Sequence, residues 1–193
     1  MKNAFAAALF ATVMTAGAAL AQGANEGPRY AFDAYYLETP SNANIHMLSD
    51  GQGKLRTEVE KGGQKSVTVS DFANQVGYQI VDPQRMVLRY RLRPGAGHDV
   101  HDDASARRLG AKGTGVQIMH NHACHVWEYA GATGKTTTWV ADDVDYLVRS
   151  QTTTPNGQSY GLDLKMITRT NPSPSLFAVP AGYKIVNVQT PGR

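Results

Sequence analysis

One cysteine, Cys124, stands in the whole 193-residue chain, so no internal disulfide is available and the fold must be held by its core. Charge of one sign is missing as well. The 19 lysines and arginines face 16 acidic residues, a balance that argues against a dedicated nucleic-acid binder. After the first twenty-one residues no apolar run approaches the length of a membrane span. Helix-forming stretches are scarce too, and no internal repeat, coiled coil or low-complexity tract breaks the chain. No Gly-x-Ser-x-Gly elbow is present, and the carboxylate pairs Asp102-Asp103 and Asp142-Asp143 are sequence neighbours, which point to opposite sides of a strand or sit in a turn. These absences weigh against an enzyme and against nucleic acid as a partner, and no cofactor is expected.

What is present begins with an export address. Lys2 gives a positive start, Ala4 to Ala16 an apolar stretch, and Ala19-Leu20-Ala21 the small-x-small pattern cut before Gln22. The sequence therefore predicts a signal peptide over 1–21, a flexible lead-in over 22–29, and one domain over 30–193 in the periplasm.

From Tyr30 onward the dominant period is two, the mark of strands with one buried face. Leu55, Thr57 and Val59 alternate with Lys54, Arg56, Glu58 and Glu60; Met86, Leu88, Tyr90 and Leu92 alternate with a row containing Arg85, Arg89, Arg91 and Arg93; Tyr160, Leu162, Leu164 and Met166 repeat the pattern. Turn residues punctuate these runs at Asp50 to Gly53, Gly62-Gly63, Asp82-Pro83, Gly131 to Gly134 and Pro155 to Gly157, which predicts about ten short strands. Residues 93–116 interrupt the rhythm with five glycines around 102–109, where Asp102 or Asp103 is placed to cap a short helix ending at Gly110. With so little helix to cover it, one large antiparallel sheet is expected to curl into a half-barrel or barrel, shapes that enclose a cavity in their mouth. The arginine row reads as a solvated face that blunts the sheet against aggregation, or as a surface for anionic headgroups or an acidic partner.

The carboxyl-terminal half carries a resemblance. The strings His122 to Tyr129, Thr138 to Ala141, Tyr146 to Arg149 and above all Ser175-Leu176-Phe177-Ala178-Val179-Pro180-Ala181-Gly182-Tyr183 resemble an exported bacterial family of unassigned function within the LolA-like superfamily of outer-membrane lipoprotein carriers. The resemblance implies a mainly β, LolA-like half-barrel of about ten to eleven antiparallel strands, a short helix or loop lid, and an apolar cavity. It also implies noncovalent binding of a lipid, an amphipathic small molecule or lipoprotein-like cargo, with an envelope protein as a further partner. The expected lining is Leu55, Val59, Leu88, Tyr90, Leu162, Leu164 and Phe177, with residues 93–116 as gate. Thr136 to Thr138 and Thr152 to Thr154 add hydroxyls to that sheet.

Five of the six histidines fall between His98 and His125. If 117–130 is one strand, His120, His122 and Cys124 at spacing two share a face with about 7 Å between successive side chains. Imidazole and thiolate suit zinc or copper, and His98 and His101 could supply further ligands from the preceding loop. The opposing reading makes Cys124 a packed apolar residue and the histidines hydrogen-bonded rim groups. An exported metal-binding protein and an envelope sensor or interaction module are the two alternatives to a carrier.

Overall fold

Local turn chemistry divides the chain into strands. In the computed structural model, which describes residues 28, 30–92, 100, 102–131 and 133–189, twelve strands form one sheet. They are β1 (Ala31–Thr39), β2 (Asn44–Asp50), β3 (Lys54–Lys61), β4 (Gln64–Asp71), β5 (Val76–Val81), β6 (Met86–Arg91), β7 (Lys112–Met119), β8 (His122–Gly131), β9 (Gly134–Ala141), β10 (Tyr146–Thr153), β11 (Ser159–Arg169) and β12 (Lys184–Asn187). The expected signal peptide, nearly all of the expected lead-in, and His98, His101 and Arg93 lie outside the described residues.

Two meanders share the first strand. The order β12-β6-β5-β4-β3-β2-β1-β11-β10-β9-β8-β7 puts β1 in the middle, because β11 returns to pair with it antiparallel. The final strand β12 pairs parallel with β6, the one non-antiparallel neighbour among the described strands. The sheet stays open, with β12 and β7 as edges. This is the mainly β, single-sheet architecture expected, with one more strand than the upper estimate.

Turns follow their residues. At Gly62 and Gly63 both backbones have positive φ (57° and 76°), the condition for the two-residue turn closing β3 on β4 across Lys61 and Gln64. Asp50 closes β2 on β3 by accepting from the Gln52 and Lys54 amides at 2.7 and 2.9 Å. The helix α1 (Asp103–Arg108) forms where its caps placed it. Asp102 accepts from the Ser105 amide at 2.6 Å, the Ser105 hydroxyl accepts from the Asp102 amide at 3.0 Å, and Gly110 leaves with φ 65°.

Two apolar clusters lie on opposite sides of the β2–β6 region. Ile45, Met47 and Leu55 join Phe32, Ala34, Tyr36, Leu162 and Leu164 in the larger, inner one. Leu48, Val67, Val69, Ile80 and Val87 form the outer one, covered by the 3₁₀ turn Pro174–Phe177 and the chain after it. One expectation is thereby corrected: the face carrying Arg89 and Arg91 is not solvated throughout. Val87, on that face, is fully buried beneath this covering segment, and Arg85 stands in a left-handed turn with its guanidinium over the Tyr183 ring. Sheets of this size bury both faces when a returning segment supplies a second layer.

Candidate functional site

Register determines which side chains meet on the inner face. Cross-strand partners point to the same side, so the chains of pairs Leu55–Ser70, Ser150–Leu162, Thr138–Ser150 and Trp127–Thr138 set leucines, hydroxyls and an indole on one surface. Of the expected lining, Leu55, Leu162 and Leu164 are buried in the inner cluster, with Val59 and Tyr90 packed against it half-buried. Leu88 lies on the same face, opposite Gln79, and is half-buried outside that cluster. Phe177 is on the other side of the sheet, packed with Val69 and Val87. It borders a hollow of about 380 Å³ whose other walls are Asp50, Gln52, Lys54, Asn171, Pro172 and Pro174.

The polar groups of the inner face are largely uncharged. Tyr36 donates to the Leu147 carbonyl at 2.8 Å, and burial first, then the neighbouring Tyr146, pushes its phenol well above the ordinary value. Burial alone raises Tyr90. Thr136 and Thr152 share a buried hydrogen bond of 2.8 Å, whereas the Thr138 hydroxyl, 1% exposed, has no hydrogen-bond partner among the described residues. A third cluster continues the apolar character at the far end, where Val100, Ala106 and Leu109 pack with Val140, Trp127 and Tyr129, so α1 covers the β8–β9 part of this face. Trp127, Tyr129 and the threonines were visible in the sequence only as alternating residues. Their alignment with Leu162 depends on the β9–β10–β11 register, which local pattern does not set.

The histidine row is broken by a turn. His120 and Asn121 have φ of 49° and 67° and form the two-residue connection between β7 and β8, so His120, His122 and Cys124 do not project from one strand face. His120 meets Asp163 at 3.0 Å, and His122 meets Asp143 at 2.7 Å. Cys124 is fully buried in the inner cluster. Burial, then Asp143 and Asp142, push its thiol up to about 11, which disfavours the thiolate that metals require. His98 and His101 lie outside the described residues. The remaining histidines also face carboxylates, His46 with Asp33 at 2.8 Å and His125 with Asp103 at 2.6 Å.

No family model and no curated protein matches the chain. Among solved structures it is similar to an uncharacterized conserved protein from Thermus thermophilus, at 11% identity over 83% of this chain and 91% of that one, with a TM-score of 0.64. It is also similar to a chain in the Pseudomonas aeruginosa MucA/MucB complex, at 13% identity and a TM-score of 0.52, over 82% of this chain but only 58% of that one. A LolA superfamily protein from Nitrosomonas europaea aligns more loosely, at 10% identity over 79% and 92% of the two chains, with a TM-score of 0.38. At such identities the likeness to the first two is one of fold alone.

Proposed function

We propose that the protein is a periplasmic, noncovalent binding protein that takes an apolar or amphipathic molecule, a lipid or lipoprotein-like cargo, on the inner face of its half-barrel. One observation carries this reading: a single curved face combines the buried leucines 55, 162 and 164 with half-buried Val59 and Tyr90 and a hydroxyl, Thr138, that lacks a partner among the described residues. Alkyl burial there contributes about 0.8 kcal/mol per methylene, so a long chain binds without a charged contact. The Thr138 hydroxyl and the half-buried Tyr90 phenol suit an ester or hydroxyl end better than a pure hydrocarbon.

The test is native mass spectrometry of gently purified protein, together with uptake of a fluorescent fatty acid. Bound lipid is expected, and Val59→Glu with Leu88→Glu, both at half-buried positions, should abolish uptake while the melting temperature stays near that of the wild type. A lipid-free protein that takes up no probe overturns the proposal. A second reading, an envelope interaction module, draws on the open edge β7, where Val116 and Ile118 are 60% and 73% exposed, and on the partner named with MucB. It would be favoured if lipid were absent and an envelope protein were captured by the wild type but not by Ile118→Lys.

A further inference from the structure

Three segments distant in sequence converge beneath α1. The capping box at Asp102 sets Asp103 at the first helical position, with its carboxylate toward β8. Asp103 Oδ1 accepts from the Trp127 indole at 2.8 Å, and its Oδ2 lies 2.6 Å from His125 Nδ1. Asp142 follows β9 directly. Its amide donates to the Ala123 carbonyl at 3.1 Å, and its Oδ1 lies 3.4 Å from the same imidazole nitrogen. One ligand atom from each of Asp103, His125 and Asp142 therefore falls within 4.8 Å of the other two.

A ring nitrogen carries one proton at most, so a single N–H is shared between the two carboxylates facing it. A divalent cation satisfies all three. Tetrahedral bonds of about 2.0–2.2 Å to nitrogen and oxygen set the ligand atoms about 3.3–3.6 Å apart. The 3.4 Å separation fits that spacing and the 2.6 Å one must widen to reach it, with all three ligand atoms already within 4.8 Å of one another. The Trp127 indole holds the oxygen of Asp103 that faces away from the imidazole, as an outer-sphere partner orients a ligand. Arg107 is a competing cation. Its guanidinium is 3.7 Å from Asp103 Oδ2, beyond hydrogen-bond reach, on a side chain 70% exposed that can swing into solvent.

Donor chemistry selects the class of ion. One imidazole and two carboxylates suit zinc and its first-row neighbours, whereas calcium wants six or more oxygens and copper(I) wants thiolates. Asp142 and His125 are 55% and 37% exposed, so water reaches the remaining coordination positions. We propose that Asp103, His125 and Asp142 form a site for a divalent cation of the zinc class, which fastens α1 to β8 and to the β9–β10 turn. The site is distinct from the His120, His122 and Cys124 set and stands independently of what the inner face binds.

The experiment titrates zinc into chelator-stripped protein by equilibrium dialysis, with amide hydrogen exchange over 103–110 as a second readout. One equivalent of zinc should bind, the melting temperature should rise by mass action, and exchange in α1 should slow. His125→Gln and Asp142→Asn should each weaken zinc binding by about tenfold or more. Asp142→Asn, in an exposed turn, should leave the melting temperature of the zinc-free protein unchanged, which separates loss of a ligand from loss of fold. His122→Gln should bind zinc like the wild type. The proposal is overturned if the wild type takes up no zinc, if either of the first two variants binds as the wild type does, or if His122→Gln alone abolishes binding.

Discussion

Glu58 illustrates how a single residue carries more than its place in an alternating pattern. On the outer face it meets Arg56 at 2.6 Å and Lys65 at 2.7 Å, with His46 at 3.6 Å. Burial pushes its carboxyl up, but the hydrogen bonds from Lys65 and Arg56 and their charges outweigh that, and the group titrates below the ordinary value. A carboxylate depressed in the folded state contributes stability above its unfolded pKa, about 4.3, and that contribution is lost as pH falls through the lower folded value. Glu58→Gln is therefore expected to be less stable than the wild type at neutral pH, with the two converging as the solution is acidified through the carboxylate range. Urea midpoints measured across that range check it, and a constant difference at every pH would refute the assignment. Alternation placed Glu58 opposite Leu55 and Val59 correctly. Arg56 stands two residues earlier in the same row, whereas Lys65 and His46 come from the strands on either side.

At the scale of elements, most turns and α1 were legible because their signals are local: paired glycines at 62–63, an Asx turn at Asp50, and caps at Asp102 and Gly110. The turn at His120-Asn121 was not. Neither residue is glycine, both adopt positive φ, and a row of alternating residues read through them as one strand. The turn removes the single strand face that His120, His122 and Cys124 were expected to share. The helix carries a prediction of its own. Both arms of the capping box are made, so Asp102→Ala should cost about 1–2 kcal/mol, a fall in melting temperature of a few degrees for a domain of this size. Because α1 packs on Trp127, indole emission should shift to the red in the same variant. Unchanged melting and emission would mean that packing alone holds the helix in place.

For the whole molecule, the decisive feature is the crossing of residues 174–183 over the outer face, ending in a strand parallel to β6. Phe177 is the buried anchor of that cover, 5% exposed among Leu48, Val67, Val69, Ile80 and Val87. Its truncation to alanine should destabilise by about 3–5 kcal/mol, read as a lower urea midpoint. An effect below about 1 kcal/mol would show that the cover is ornamental to stability.

The sequence by itself determined what depends on neighbours along the chain: the strand rhythm, most turns, the capped helix and the apolar or polar character of each strand face. Only the tertiary structure decided that β1 pairs with β11 in mid-sheet, that Phe177 covers the outer face rather than facing Leu162, and that Asp103, His125 and Asp142 meet. The physical reason is that periodicity and turn chemistry are fixed by backbone sterics over a few residues. Strand order and side-chain convergence arise from which surfaces the folded chain buries against each other, across separations that no local pattern encodes.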